Sequence, residues 1–297
     1  MTMSLIWLLL MMDMWTLGRS MKRSRVNSRS THHTHRDPGD ATEQHMNLIR
    51  TQLNTNMPSL LASFEQKGYA IVDNFLGLSA CEEMRREAEN YYCKDYYTIS
   101  QSTRFDIDTN QIVTYNKHNV FSMQLDGGTK YEQGKRLHEY VVSMVKTIVP
   151  MLNSYFNDLS LNPYQAANKL AVCTGDGSYY DKHFDNMGND DLRKITVIYY
   201  MNPKYKQQLG GCFRIYSIEG DEINTHDIEP IGDRLLVFRA DSLVHSVLPS
   251  FATTSEEYRY ALTIWLLTTN NANIIINTDE VTRHFGLSPD IIKKVNG

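Results

Sequence analysis

Between Ala171 and Leu267 the chain is a succession of short β-branched or aromatic runs, each closed by a turn signal, and this stretch limits the fold most tightly. The runs are Ala171 to Cys173, Ile195 to Met201, Gly211 to Tyr216, Thr225 to Ile228, Arg234 to Phe238, Val244 to Leu248 and Arg259 to Leu267. Between them fall Gly175-Asp176-Gly177, Asn202-Pro203, Gly210-Gly211, Glu219-Gly220-Asp221 and Gly232-Asp233. Many short strands at this spacing build a sandwich, a barrel or a jelly roll. Upstream, Ser79 is placed to cap a charged helix running to Tyr92. Leu137, Val141, Met144, Val145 and Ile148 form one stripe of a second helix, which Pro150 should end or kink. The expectation is a mainly β domain with supporting helices. Thr98 to Val120 is polar and long for a connection, so it reads as a functional loop or a hairpin.

The first 55 residues have a different texture. Leu5 to Met12 is an apolar run of eight, whereas a bilayer span needs about 20 residues, so no membrane span is expected. The run suits the apolar part of a secretion signal, with Thr16-Leu17-Gly18 as a cleavage site, but Met1 to Ser4 carry no positive charge. From Arg19 to Arg50, Arg and Lys mix with Ser, Thr and His, as in a disordered tail. His32, His33 and His35 there lack the partners that orient metal ligands. Order is expected from near Pro58, where Leu60, Leu61 and Phe64 at helical spacing lead into the strand Tyr69, Ile71, Val72. The division is therefore 1–55 apolar then basic, 56–280 one folded domain, and 281–297 a C-terminal tail. Lys and Arg total 30 against 34 Asp and Glu, a net charge of −4, which argues against a nucleic-acid binder. Four cysteines lie far apart with no CxxC pair, which disfavours a cysteine-rich zinc module and fits a reducing, cytoplasmic setting.

The chemistry begins at His183-Phe184-Asp185. On a strand, residues i and i+2 share a face, so an imidazole and a carboxylate can converge on one metal. An HxD triplet alone is weak, since a surface strand with two polar residues looks the same. His245, 60 positions beyond Asp185 and inside an apolar strand, changes the balance, because an unpaired imidazole there would be a poor core residue. Two histidines and one carboxylate form the facial triad of non-haem Fe(II) oxygenases, whereas zinc prefers a closed tetrahedral set or a single open position. Alternation along the last strand puts Arg259, Ala261, Thr263 and Trp265 on one face, where Arg259 and Thr263 suit a dicarboxylate clamp. Thr196, Ile198 and Tyr200 share a face in the same way, with Ile198 an apolar wall and Tyr200 either a phenol donor to the same carboxylate or a tyrosine simply packed in the core.

The ordered string HxD, Ile198-Tyr199-Tyr200-Met201-Asn202, Gly210-Gly211-Cys212-Phe213-Arg214-Ile215-Tyr216, Asp227-Ile228-Glu229-Pro230, Asp233-Arg234-Leu235-Leu236, His245 and Arg259-Tyr260-Ala261 resembles the Fe(II)/2-oxoglutarate-dependent prolyl 4-hydroxylases. Within them it is most similar to the hypoxia-inducible-factor, oxygen-sensing type, over about residues 58–270. The resemblance implies a double-stranded β-helix (jelly-roll) core. It also implies trans-4 hydroxylation of a prolyl residue in a protein or peptide substrate such as a hypoxia-inducible transcription factor. Fe(II) and the cosubstrates 2-oxoglutarate and O2 would be used, with ascorbate keeping the iron reduced. His183, Asp185 and His245 would ligate iron and Arg259 would pair with the cosubstrate C5 carboxylate, assisted by Tyr200 and Thr263. Ile198 would wall the cosubstrate pocket, Trp265 would lie near the iron and Arg193 beside the substrate entrance. Thr98 to Val120 would be the segment that closes over the proline. The protein would act as a monomer in the cytoplasm or nucleus, or in the secretory pathway if residues 1–18 are a signal peptide.

Two departures stand out. The stretch from His245 to Arg259 is 14 positions, so Phe251 to Tyr258 looks like a small insertion, and Cys173 replaces a tyrosine that helps hold 2-oxoglutarate. Tyr179 or Tyr180 can substitute for it. The alternatives are the same chemistry on a ribosomal or secreted, collagen-like proline, and a non-catalytic jelly-roll binding module. A serine hydrolase built on Ser246, His245 and Asp241 lacks a nucleophile elbow.

Overall fold

A computed structural model describes residues 38–286, apart from 107, 108, 110, 187 and 189. Eleven β-strands form two antiparallel sheets. The larger is ordered β1 (Tyr69–Val72), β9 (Arg234–Arg239), β6 (Arg193–Tyr200), β11 (Arg259–Thr268), β4 (Leu161–Cys173), β3 (Gln111–Met123) and β2 (Thr98–Asp106). The smaller is ordered β5 (Ser178–His183), β10 (Val244–Ser250), β7 (Phe213–Glu219) and β8 (Glu222–Ile228). Two sheets filled by consecutive short strands make the jelly roll anticipated from the turn spacing.

Strands β6 and β11 are buried on both faces, which is why they read as nearly continuous apolar runs. Their outward residues, Val197, Tyr199, Leu262 and Ile264, join a core with α1 (Pro38–Lys67) and α3 (Lys135–Tyr155). Their inward residues, Ile198, Tyr200 and Ala261, meet Phe213 and Ile215 of the smaller sheet.

Several elements differ from the sequence expectation. Helix α1 begins at Pro38, inside the segment expected to be disordered, because Ile49, Leu53, Met57, Leu60 and Phe64 are buried as one stripe. The apolar run Leu5 to Met12 and residues 19–37 lie outside the described residues. Helix α2 (Leu78–Cys93) is capped at Gly77 and not at Ser79. The Asp233 carboxylate accepts from the backbone N–H of Leu76 and Gly77, each at 2.7 Å, and so replaces a local cap. Helix α3 runs past Pro150 to Tyr155. Both Pro150 and Lys146, whose carbonyl loses its donor, face solvent, while Leu152 keeps the last turn buried. Of the two readings of Thr98 to Val120, loop or hairpin, the structure has the hairpin, with β2 antiparallel to β3. The 281 boundary cuts through α4 (Thr278–Phe285), which buries Val281 against Phe184 and Val244. Among the described residues no helix is long and apolar enough to cross a membrane.

Candidate metal and dicarboxylate site

The site lies between the sheets. His183 is the last residue of β5 and stands opposite His245 of β10 in the strand register. Asp185 lies just beyond the strand, in a bend, so the triplet is brought together by the end of β5 and not by strand alternation. His183, Asp185 and His245 each offer a ligand atom within 4.8 Å of the others. His183 Nε2 and His245 Nε2 lie 3.6 and 3.8 Å from Asp185 Oδ1.

The surrounding bonds select those atoms. His183 Nδ1 meets the Asp181 carbonyl at 2.6 Å and His245 Nδ1 meets that of Leu243 at 3.0 Å. A carbonyl only accepts, so both Nδ1 atoms carry the proton and both Nε2 lone pairs face the centre. Asp185 Oδ2 accepts from Thr196 Oγ1 at 2.6 Å and Trp265 Nε1 at 3.1 Å, which leaves Oδ1 free. Burial alone would raise the Asp185 carboxyl. The two imidazoles and the Arg193 guanidinium around it outweigh that burial and hold the group well below the carboxylate range. Burial lowers His245 to about 4, which keeps its imidazole neutral and able to ligate. Phe213 stacks on the His245 ring at 4.7 Å and Phe238 meets its edge region at 4.9 Å, fixing its plane.

A cavity of about 70 Å³ joins this triad to Arg259, with Thr263, Trp265 and Ile198 in its wall. Arg259 is 6% exposed, and its Nε donates to the Gly211 carbonyl at 2.8 Å, so the guanidinium is aimed. Gly211 has φ +72, and a Cβ there would lie 2.9 Å from Arg259 Cδ, so glycine is required for that approach. The Arg259 guanidinium sits 5.2 Å from the centre of the Tyr200 ring, and the Tyr200 hydroxyl is buried without a hydrogen-bond partner. A buried orphan hydroxyl beside a buried arginine suits a carboxylate, and two imidazoles with one carboxylate oxygen suit Fe(II), so the residues fit both groups.

Other sequence candidates are placed as follows. Tyr200 packs beneath Arg259 and is not among the residues lining the cavity. Arg193 is held by Asp191 at 2.8 Å and lies 5.3 Å from the Trp265 ring, outside the lining. Arg214 pairs with Asp227 at 2.7 Å on the outer surface. Cys173 stands opposite Arg259 in the register, and Tyr180, rather than the exposed Tyr179, turns into the cavity. The stretch from Phe251 to Tyr258 is tied down by Arg85, which donates to the carbonyls of Ser255, Glu256 and Tyr258. Sequence reasoning missed Lys117 and Lys169, which both line the cavity. Lys169 had a signal, since it continues the Cys173, Ala171 alternation of β4; Lys117 had none.

A jelly roll carrying two histidines and a carboxylate with an inward arginine defines a non-haem Fe(II) oxygenase site. Residues 169–267 match the model of the 2OG-Fe(II) oxygenase superfamily. It is 29% identical to "Hypoxia-inducible factor prolyl hydroxylase" of Caenorhabditis elegans over 70% of this chain and 28% of that protein. It is 29% identical to "Prolyl hydroxylase EGLN3" of Homo sapiens over 69% of this chain and 81% of that protein. The chain thus spans well under a third of the nematode relative and most of the human one. Among solved structures it resembles a Trichoplax adhaerens prolyl hydroxylase in complex with a hypoxia inducible factor oxygen degradation domain peptide fragment. That match has TM-score 0.52 and 28% identity, over 84% of this chain and 96% of that one.

Proposed function

We propose that this protein is an Fe(II)- and 2-oxoglutarate-dependent prolyl 4-hydroxylase of the oxygen-sensing type, acting on a hypoxia-inducible transcription factor. The observation that carries the reading is one small cavity with a three-donor metal face at one end and an aimed, buried arginine at the other. When bound, iron with 2-oxoglutarate and O2 supplies an oxidative decarboxylation that can be coupled to hydroxylation of a carbon–hydrogen bond. His183, Asp185 and His245 would hold the metal, while Thr196 and Trp265 keep one Asp185 oxygen away from it. Arg259 would receive the distal carboxylate on its terminal nitrogens, its Nε being already engaged. Thr263 would add a donor, the Tyr200 ring would support the guanidinium from beneath, and Ile198, Phe213 and Val247 would exclude water. Arg193 would flank the substrate entrance beside the β2–β3 hairpin. The hairpin is joined to β5 by the bond from the Tyr115 hydroxyl to Asp181, two residues before a metal ligand. The relatives' printed activities support the choice of proline, and the four free cysteines suit a cytoplasmic protein.

The test is peptide hydroxylation followed by mass spectrometry. A Leu-x-x-Leu-Ala-Pro peptide should gain one oxygen at proline only with Fe(II) and 2-oxoglutarate, and Asp185→Ala should abolish the gain. Modification of collagen-like or ribosomal prolines in its place would retain the chemistry and overturn the oxygen-sensing assignment.

A further inference from the structure

The cavity holds more positive charge than a metal triad and one clamp require. Lys117, on β3, and Lys169, on β4, reach it from adjacent strands and share the Tyr180 ring, their Nζ atoms lying 3.8 and 5.4 Å from its centre. Among the described residues the lysine ion pairs are Lys194 with Asp241 and Lys204 with Glu256, so neither cavity lysine takes part in one. Lys117 is nevertheless 8% exposed. With Arg259 these lysines place three groups able to carry positive charge around the cavity against one carboxylate, that of Asp185, an arrangement suited to an anionic ligand.

Position separates Lys169 from the clamp. In the β4–β11 register Cys173 stands opposite Arg259, whereas Lys169 stands opposite Thr263, four residues along. Trp265, the next inward residue, donates to Asp185. Lys169 therefore lies toward the metal end of the cavity and Arg259 at the other.

Resting on the dioxygenase reading above, the geometry points to Lys117 and Lys169 as a second carboxylate-binding position, which holds the end of a small dicarboxylate that Arg259 does not. Burial, and then Lys169 beside it, lowers the Lys117 ammonium to about 7, and burial lowers Lys169 as well. A carboxylate between them would offset that cost. The contacts of both ammonium groups with the Tyr180 ring, and of Lys169 with the Trp265 ring at 5.8 Å, offset only part of it.

The experiment is calorimetric titration of the metal-free full-length protein in chelator, with 2-oxoglutarate, succinate and the monocarboxylate pentanoate. The wild type should bind both dicarboxylates, and Lys117→Met with Lys169→Met should weaken them at least tenfold. Pentanoate, which reaches Arg259 alone, should change less than threefold. Lys169→Arg in the wild-type background should retain most of the affinity, and unchanged melting of the double variant excludes a folding loss. The proposal is overturned if the double variant binds dicarboxylates within threefold of the wild type, or if pentanoate weakens equally. A double variant that binds 2-oxoglutarate normally but raises the KM for an acidic peptide would assign the lysines to the polypeptide, which also overturns it. If succinate binds through the lysines and 2-oxoglutarate does not, the anion position stands and the cosubstrate reading fails. If the wild type binds neither dicarboxylate, both fall.

Discussion

At the residue scale, Asp185 shows how a carboxylate just beyond a strand end is left with one oxygen to offer the proposed metal position. Thr196 supplies the shorter of its two side-chain bonds, at 2.6 Å, from a strand that also carries Ile198. Thr196→Val keeps the shape and removes that donor, so Oδ2 can turn toward the metal position. We expect metal affinity to fall roughly 10- to 100-fold, as for other groups that orient a ligand, with the melting temperature little changed. Titration with Mn(II) or Co(II) checks this, and unaltered affinity would show that Trp265 suffices. His245 and Arg259 were legible as polar residues within apolar strands, and His183 with Asp185 as a close pair, although the bend after β5 and not alternation brings that pair together. The orienting bonds were not, since they join Asp185 to residues 11 and 80 positions away. Lys117 was illegible for a different reason: Asn119, two residues further along β3, has a left-handed φ of 51, and the alternation of the strand does not survive that break.

At the element scale, the helices were less legible than the strands. Helix α1 hides its stripe among Thr51, Asn54, Thr55 and Asn56, poor helix formers that face outward, although Ile49, Leu53, Met57 and Leu60 keep helical spacing. Its early turns form because tertiary burial outweighs propensity. The start of α3 depends on a neighbour in the same way. Glu87 of α2 accepts from the backbone N–H of Arg136 and Leu137, each at 3.0 Å. Burial raises its carboxyl from 4.5 to about 7, against the pull of those two donors, and Glu139 adds to the rise. A carboxyl whose folded pKa is raised binds its proton more tightly in the native state. Its contribution to stability is complete below pH 4.5 and is lost as the pH climbs to about 7. Between those limits the urea midpoint of the wild type should fall relative to that of Glu87→Gln, whose amide does not titrate. Parallel curves for the two proteins would place the pH dependence elsewhere.

At the scale of the whole molecule, the larger sheet separates two cores with different duties. Behind it, α1 and α3 cover a broad apolar layer that includes Leu53, Phe64, Val197 and Leu262. In front, Phe213, Phe238 and Ile198 form a smaller layer that touches the site, with Phe213 stacked on His245. Local alternation identified the inward faces of β6 and β11, which carry Ile198 and Thr263, but not the apolar layer behind them. It did not reveal the strand order, because β1 pairs with β9 across more than 150 positions and such partners carry no local mark. The division predicts that stability and metal binding can be altered separately. Leu53→Ala empties a fully buried position far from the metal face and should cost about 2–5 kcal/mol. The protein that remains folded should bind Mn(II) as tightly as the wild type. Phe213→Ala should cost a comparable amount, about 3–5 kcal/mol, and also weaken metal binding, because His245 loses the ring that holds its plane. Thermal melting beside metal titration distinguishes the two cases. Equal loss of affinity in both variants would mean that the helical layer and the metal face form one cooperative unit, with the sheet transmitting strain between them.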